Sequence, residues 1–195
     1  MAAETKTVRS RRTRTALIGA VRERLRVTGN FTAAEIADDV GCTQGTFWAH
    51  FENKDDAITA AFQEALDEMI PLVERIFGGG PGGLITSSEA DRLGWAVGAV
   101  DEIIAYFAKH ELLYRLALSR LPEHRPLRHA FRATESRSIG IVSAAVPGAS
   151  AADHGAAIIC LCQGMINTIL LHSKPGDPKR RFMSVALASL TLARP

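Results

Sequence analysis

The sequence predicts an all-α protein with nine or ten helices, and three features of the chain lead to this fold class. Apolar residues recur at helical spacing from the first segment onward, with Leu17, Val21 and Leu25 as the earliest example. Runs in which β-branched and polar residues alternate, which would indicate strands, are nearly absent. Strong breakers divide the helical stretches, most clearly the glycine-rich run at residues 78–83.

The composition fits a folded protein whose basic side chains are concentrated near its N-terminus. Of 195 residues, 47% are hydrophobic and 23% are charged, which is typical of a globular chain and excludes general disorder. The net charge is only +2, yet residues 1–30 carry eight basic and two acidic side chains. Residues 31–70 carry nine acidic side chains and a single lysine. The sequence therefore predicts a basic arm ahead of a nearly neutral body.

The cysteines and the apolar segments exclude several classes of protein. Three cysteines without a CxxC spacing provide no disulfide framework, and we interpret Cys160 and Cys162 as buried small hydrophobes. The longest apolar run, residues 156–171, is interrupted by polar residues and is too short to span a bilayer. No apolar signal segment precedes residue 16. We therefore expect a soluble, cytoplasmic protein with no membrane partner.

The segment from residue 32 to residue 51 has the spacing of a helix-turn-helix unit. Thr32 and Glu35 are placed to form a capping box at the start of one helix, and Thr43 is placed to cap the next. Gly41 supplies the left-handed conformation that the tight turn requires, and Ala37 allows the helices to approach closely. The second helix of such a unit enters the major groove of DNA. The shared core is predicted to contain Ile36, Val40 and Phe47.

This segment also carries a family resemblance. It reads A-E-I-A-x-x-x-G-C-T-x-G-T-F-W-x-H-F-x-N-K, and it resembles the DNA-binding signature of the TetR family of transcriptional regulators. Three positions depart mildly from the family pattern: Cys42 replaces valine, Thr43 replaces serine and Trp48 replaces tyrosine. The resemblance covers residues 14–65. It implies an N-terminal three-helix DNA-binding domain followed by a C-terminal helical bundle that binds a ligand and forms a dimer.

The resemblance implies a set of residues that contact DNA. Gln44, the first residue of the recognition helix, is expected to read adenine, and Gly45 to allow close approach of the backbone. Lys54 matches the lysine with which the family contacts a phosphate. The arm, including Arg12 and Arg14, is expected to be disordered without DNA and to follow the DNA backbone or the minor groove when bound. The other predicted DNA contacts are Thr32, Thr43, Thr46, Trp48 and His50.

Several of these residues have a simpler interpretation, which the sequence leaves open. Thr43 has an alternative role as a helix cap alone, and Gln44 as a solvent-facing side chain. Trp48 and His50 have alternative roles as ordinary core or surface residues. The acidic side chains of residues 31–70 are expected to face away from the duplex.

The sequence predicts a functional division of the chain, with residues 1–54 binding DNA and residues 55–195 binding a ligand and forming the dimer. A single half-site is too small for useful specificity, so we expect two-fold pairing on a pseudo-palindromic operator. The last two long helices are apolar all round and must be covered on all sides, with a purely internal core helix as the alternative. The predicted dimer residues are Ile159, Gln163, Ile166, Leu170, Val185 and Leu190.

Large side chains on the central helices are predicted to bind a small, mostly apolar effector. Because aromatic residues at helical spacing often belong to the core, a packing role is the alternative for each. The predicted ligand residues are Trp95, Tyr106, Phe107, Tyr114, Phe131, Met165 and His172. No cofactor and no metal site is predicted, since the six histidines are scattered along the chain.

The sequence therefore predicts a ligand-responsive repressor that binds double-stranded operator DNA as a homodimer. No Ser-His-Asp arrangement, metal-ligand cluster or pair of carboxylates stands out, so we do not expect an enzyme. The alternative is a helical module that binds a small molecule or a partner protein and has no operator. The complete segment from Thr43 to Lys54 argues against that alternative.

Overall fold

The computed structural model of the protein describes residues 2–77, 89–145 and 151–172. These residues form eight helices and no strand, which confirms the predicted all-α class. The last predicted helix, residues 179–192, and the glycine-rich run at residues 78–83 lie outside the described residues. The helices are α1 (Ala2–Thr28), α2 (Ala33–Val40), α3 (Gln44–His50), α4 (Lys54–Phe77), α5 (Glu89–Lys109), α6 (Glu111–Arg120), α7 (Arg125–Ala145) and α8 (Ala151–His172).

The chain divides into two compact units. The first, called the N-terminal unit below, comprises Met1–Ala65 and His110–Ala130; the second, the C-terminal unit, comprises Leu66–Lys109 and Phe131–Pro195. The N-terminal unit therefore contains the first part of α4 and the whole of α6 in addition to the helix-turn-helix. The predicted division after residue 54 concerns function and stays a prediction.

The core of the N-terminal unit is built from the apolar faces of its helices. Leu17, Val21 and Leu25 on α1 are completely buried, at the spacing that the sequence predicted for one helix face. On α6, Tyr114 is also buried, and its ring lies edge-on to that of Phe62 on α4 with the centroids 5.1 Å apart. Helix α1 packs against both α2 and α6. It therefore connects the helix-turn-helix to the rest of the unit.

Helix α1 begins much earlier than the sequence predicted. The four arginines from Arg9 to Arg14 lie on the helix itself, so the expectation of a disordered arm ahead of the first helix is wrong. Residues 2–16 contain neither glycine nor proline. A helix that is already nucleated by buried residues from Leu17 onward extends through such a segment at little cost in free energy. The basic side chains therefore project from a helix rather than from a disordered chain.

The C-terminal unit has a core of aliphatic side chains from α4, α7 and α8. Val73, Val142 and Ile159 are its buried members, one from each helix. Gly155 lies at a close approach between α8 and α7: a Cβ atom there would be 2.8 Å from the backbone nitrogen of Ser143 and 2.9 Å from its Cα. Glycine is needed at residue 155 because that space is already filled.

The cysteines of α8 differ from the prediction. Cys162 is buried, and its burial raises the pKa of the thiol to about 11, whereas Cys160 is exposed. Residues two apart on a helix point in different directions, so one face of α8 cannot bury both. Among the described helices, none has a stretch that is long and apolar enough to cross a membrane.

We expect Gly155→Ala to lower the free energy of unfolding by about 1–3 kcal/mol, because the added methyl group overlaps the backbone of α7. Chemical denaturation of purified protein measures this change. Gly140→Ala on α7 is the matched control, since an added Cβ there meets nothing within 4 Å. It should be neutral or should stabilise by up to about 1 kcal/mol, because alanine favours a helix more than glycine does. Equal effects of the two substitutions would contradict the close approach.

Candidate nucleic-acid interface

Side chains and one glycine fix the ends of α2. The hydroxyl of Thr32 accepts a hydrogen bond from the backbone N–H of Glu35 at 3.2 Å, and Glu35 Oε2 accepts one from the backbone N–H of Thr32 at 2.7 Å. This is the predicted capping box. Gly41 ends the helix with φ 71° and ψ 39°, the left-handed conformation that the sequence predicted. The hydroxyl of Thr32 donates to Glu35 Oε2 at 2.8 Å, so a phosphate contact by Thr32 would compete with the cap.

Helix α3 begins with a second cap and has one buried side. Thr43 Oγ1 accepts a hydrogen bond from the backbone N–H of Thr46 at 3.2 Å and lies 3.0 Å from Thr46 Oγ1. Phe47 is completely buried, and its ring centroid lies 6.3 Å from that of Phe31 and 4.9 Å from that of Phe51. This packing orients α3, which has only seven residues.

Another sector of α3 faces solvent. Gln44, Gly45 and Trp48 are exposed, and the ring of Trp48 lies edge-on to that of Phe47 with the centroids 4.9 Å apart. At about 100° per residue, Gln44, Trp48 and Gly45 lie roughly 60°, 100° and 160° around the helix from Phe47, so they form one exposed sector next to the buried side. Ala49 is also exposed in this sector. Sequence reasoning missed Ala49, although the same angular spacing identifies it as a residue of this side.

Lys54 lies in the first turn of α4, and its ammonium group is held beside the helix-turn-helix. Its Nζ donates a hydrogen bond to Asn30 Oδ1 at 2.6 Å and lies 4.7 Å from the centroid of the Phe31 ring. Asn30 and Phe31 belong to the turn between α1 and α2. Asn53 caps α4 by accepting a hydrogen bond from the backbone N–H of Asp56 at 2.9 Å. The sequence did not predict the contacts of Lys54 with the turn.

The two arginines predicted to contact DNA have different surroundings on α1. Arg12 is exposed, whereas Arg14 is half-buried with its guanidinium 5.2 Å from the centroid of the Phe51 ring. Arg14 is therefore anchored beside the end of α3, and Arg12 projects into solvent. His50, in the last turn of α3, is half-buried.

Two of the three acidic residues of α2, Glu35 and Asp39, have hydrogen-bond partners within the N-terminal unit. Arg24 of α1 donates two hydrogen bonds to Asp39, each of 2.7 Å, and these bonds lower the pKa of that carboxyl below its ordinary value. Hydrogen bonds from the side chain and backbone of Thr32 lower the pKa of Glu35. Both carboxylates are therefore ionised near neutral pH, and both accept hydrogen bonds from groups of the same unit.

Two acidic residues of α4 also have basic partners in this unit. Arg22 Nη1 of α1 lies 3.5 Å from Glu64 Oε2, and Arg120 Nε of α6 lies 3.1 Å from Asp55 Oδ1. Surface ion pairs of this kind add little to stability, but they offset the acidic excess of residues 31–70. That excess is therefore partly neutralised within the unit.

The predicted ligand residues lie in separate packing contacts. Tyr114 belongs to the core of the N-terminal unit. In the C-terminal unit, Trp95 lies edge-on to Phe77 with centroids 5.7 Å apart, and Tyr106 lies edge-on to Phe107 at 5.9 Å. These contacts agree with the packing roles that the sequence left open, and ligand binding stays a prediction. The other three predicted residues are half-buried or have side chains outside the described ones: Phe131, Met165 and His172.

The predicted dimer residues on α8 that the structure describes are buried or half-buried in a single chain. Ile159 and Ile166 are each 8% exposed, and Gln163 is half-buried. The exposed side of the helix carries Leu161, which is 42% exposed, and Gly164. The dimer role of the predicted residues stays a prediction, because a single chain does not show which side of α8 a second copy would cover. The side chain of Leu170 and the whole of Val185 and Leu190 lie outside the described residues.

Comparison with solved structures identifies the fold. One similar structure is that of a protein from Mesorhizobium loti assigned to the TetR family of transcriptional regulators. It superposes on this chain with a TM-score of 0.73 at 14% identity, over 94% of this chain and 96% of its own. The fold is that of the TetR family. The multidrug binding protein EbrR, solved with imidazole, gives a TM-score of 0.65 at 16% identity over 93% of this chain and 96% of its own.

A third structural neighbour is a repressor. NalD from Pseudomonas aeruginosa, the secondary repressor of the MexAB-OprM multidrug efflux pump, gives a TM-score of 0.55 at 20% identity, over 93% of this chain and 96% of its own. The sequence itself matches no family profile and no curated relative. In the part of the chain that the structure describes, no three His, Cys, Asp or Glu side chains are grouped to hold a metal ion.

We expect Asp39→Asn to make the stability of this TetR fold less dependent on pH in acid. The pKa of Asp39 in the folded state is held below its ordinary value of 3.8. Its pair with Arg24 therefore contributes fully above that pH, and the contribution is lost as the pH falls through the lowered value. Thermal unfolding measured from neutral pH to about pH 2 should separate wild type from the variant at neutral pH and bring them together in acid.

Asp38→Asn is the matched control for this measurement, because it removes a neighbouring exposed carboxylate from the same helix. Its curve should run parallel to that of the wild type. A constant difference between wild type and Asp39→Asn down to the lowest pH would contradict the role of the Arg24 pair.

Proposed function

We propose that the protein is a transcriptional regulator that binds operator DNA as a homodimer and releases it when a small, mostly apolar effector binds. The observation that carries this proposal is the division of α3 into a side on which Phe47 is buried and an adjoining sector that exposes Gln44, Gly45 and Trp48. A short helix seated in this way on a helix-turn-helix is suited to enter the major groove of DNA. Such a protein would act in the cytoplasm.

The exposed side of α3 offers the chemistry that base recognition requires. The amide of Gln44 has the donor and acceptor that pair with N7 and N6 of adenine, and Gly45 adds no side chain that would keep the backbone from the DNA. The indole of Trp48 has an N–H donor for a phosphate oxygen. The hydroxyls of Thr43 and Thr46 use one hydrogen in their mutual bond, so one O–H remains to donate to a phosphate.

Basic groups around α3 are suited to the phosphates on either side of the groove. Lys54 at the start of α4, His50 at the end of α3 and the exposed Arg12 of α1 are the proposed contacts. Because Arg12 lies on a helix, it would reach the DNA backbone as part of a helical extension. Arg14 has its guanidinium against Phe51, and it would contact DNA only from that fixed position.

The exposed side of α8 is the proposed dimer surface. Leu161 is a large apolar side chain at 42% exposure, and Gly164 beside it permits close approach of a second helix. A two-fold dimer would hold two copies of α3 about 34–36 Å apart, the spacing of successive major grooves. The buried Ile159 and Ile166 would then support this surface from within the chain.

The effector proposal rests on the C-terminal unit and on the neighbours of the fold. The unit carries Trp95, Tyr106, Phe107 and Phe131, and two structural neighbours are a multidrug binding protein and a repressor of a multidrug efflux pump. An effector would lower DNA affinity if it favours a conformer with another spacing of the two α3 helices, with a coupling free energy of about 1–3 kcal/mol. The alternative function, a helical ligand-binding or partner-binding module without an operator, lacks a use for the exposed side of α3.

We expect wild-type protein to enrich a pseudo-palindromic sequence from random double-stranded DNA. Gln44→Ala should relax the preference at one position in each half-site by about 1–3 kcal/mol, because it removes a two-point contact with a base. Sequencing of the bound DNA measures both effects. Gln63→Ala, which removes the same amide from α4, is the matched control and should leave the enriched sequence unchanged. Absence of any enriched sequence with wild-type protein would contradict the proposed function.

We expect Leu161→Arg to convert a dimer into a monomer, because a charge at the centre of an apolar two-fold contact meets its own copy. Sedimentation analysis over a range of protein concentrations measures the change. Val27→Arg is the control, since Val27 is a 61% exposed aliphatic residue on α1; it should leave the dimer intact. A wild-type protein that is monomeric, or a Leu161→Arg variant that dimerises normally, would refute this surface.

A further inference from the structure

We infer that Asn30 and Phe31 are positioning residues, which hold the Lys54 ammonium where it meets a DNA phosphate. The inference rests on the proposed function, because the phosphate contact of Lys54 is part of that function. It adds the turn between α1 and α2 to the DNA-binding site. The sequence assigned no DNA role to Asn30 or Phe31.

The geometry around Lys54 leaves room for a further hydrogen bond. Its ammonium has three N–H donors and no acceptor, so the amide of Asn30 must present its oxygen, at 2.6 Å. The face of the Phe31 ring, 4.7 Å from Nζ at its centroid, attracts the positive charge from another direction. At least one N–H is then available for an oxygen of the DNA backbone.

The turn that holds Lys54 is itself fixed by the surrounding structure. Gly29 has φ 70°, and the hydroxyl of Thr28 accepts a hydrogen bond from the backbone N–H of Asn30 at 3.3 Å. Phe31 is only 2% exposed, and its ring packs against that of Phe47 on α3 at 6.3 Å between centroids. One ring therefore contacts both the cation of Lys54 and the buried residue of the recognition helix.

This arrangement has two consequences for DNA binding. A free lysine side chain has many rotamers and loses entropy when it binds a phosphate, whereas Lys54 has lost part of that freedom before DNA arrives. The shared contact with Phe31 also sets the distance between the Lys54 ammonium and α3. The position of the phosphate contact is therefore fixed relative to the base contacts of α3.

The first test examines these contacts in the full-length protein without DNA. Nuclear magnetic resonance should detect a slowly exchanging ammonium signal for Lys54 and an upfield shift of its ε-methylene protons above the Phe31 ring. Asn30→Ala should speed the exchange of the ammonium with water, and Phe31→Leu should remove the upfield shift while keeping an apolar side chain in the core. A wild-type spectrum with neither feature would overturn the inference, whatever the protein does with DNA.

The second test uses the DNA sequence enriched from the random pool and measures affinity against salt. Lys54→Ala should weaken binding and reduce the slope of log affinity against log salt by about one for each Lys54 that contacts a phosphate. Asn30→Ala should weaken binding by about two- to tenfold for each half-site with nearly the same slope, since the charge remains and only its ordering is lost.

The double variant separates positioning from a general structural role. In the Lys54→Ala background, Asn30→Ala should have no further effect on DNA affinity; an equal loss in both backgrounds would overturn the inference. Asn30→Asp keeps an acceptor for Lys54 and places a negative charge beside the ammonium that offsets its positive charge. It should therefore preserve the ammonium signal and reduce the slope of log affinity against log salt. This variant also serves if Asn30→Ala fails to fold.

The two tests distinguish the two ideas. A wild-type protein that shows the ammonium signal but selects no DNA would refute the proposed function and the phosphate role of Lys54, while the contacts among Lys54, Asn30 and Phe31 would stand. A protein that selects DNA and depends on Lys54 but not on Asn30 would refute the positioning role alone.

Discussion

Burial of the Phe47 side chain is the interaction on which the N-terminal unit depends. Helix α3 has seven residues, and isolated helices of that length are unstable in water, so its structure must come from packing and caps. Phe47 supplies the packing through its contacts with Phe31 and Phe51, and Thr43 supplies the cap. Removing a buried phenylalanine side chain typically costs about 3–5 kcal/mol, a large share of the stability of a small domain. The direction in which α3 presents its exposed side follows from this one contact.

Charge matters in this unit through its placement rather than its sum. The acidic side chains Asp39, Asp55 and Glu64 have arginine partners from α1 or α6. Each arginine offsets the negative charge of its partner, so these carboxylates repel a nearby anion less. Lys54 is instead placed against a neutral amide and an aromatic ring, which leave its full positive charge in place. The net charge of the chain conveys neither fact.

Features set by neighbouring residues could be predicted from the sequence, and features set by distant residues could not. The capping box at Thr32, the left-handed Gly41 and the cap at Thr43 each involve partners within a few residues, and all three are present. The predicted disordered arm was wrong, because the helix extends from the buried nucleus that begins at Leu17. The residues ahead of Leu17 carry no strong helix signal of their own. The contact of Lys54 with Asn30 spans 24 residues and has no local signal.

The interleaving of the two units along the chain limits how the protein can be divided. Residues 110–130 belong to the N-terminal unit, although residues 66–109 of the C-terminal unit precede them in the chain. A fragment that ends near residue 65 would therefore lack α6 and expose the apolar surface that Leu113 and Tyr114 bury. The helix-turn-helix cannot be cut from the N-terminus as a self-contained module. An exchange of C-terminal units between this protein and another must keep residues 110–130 with α3.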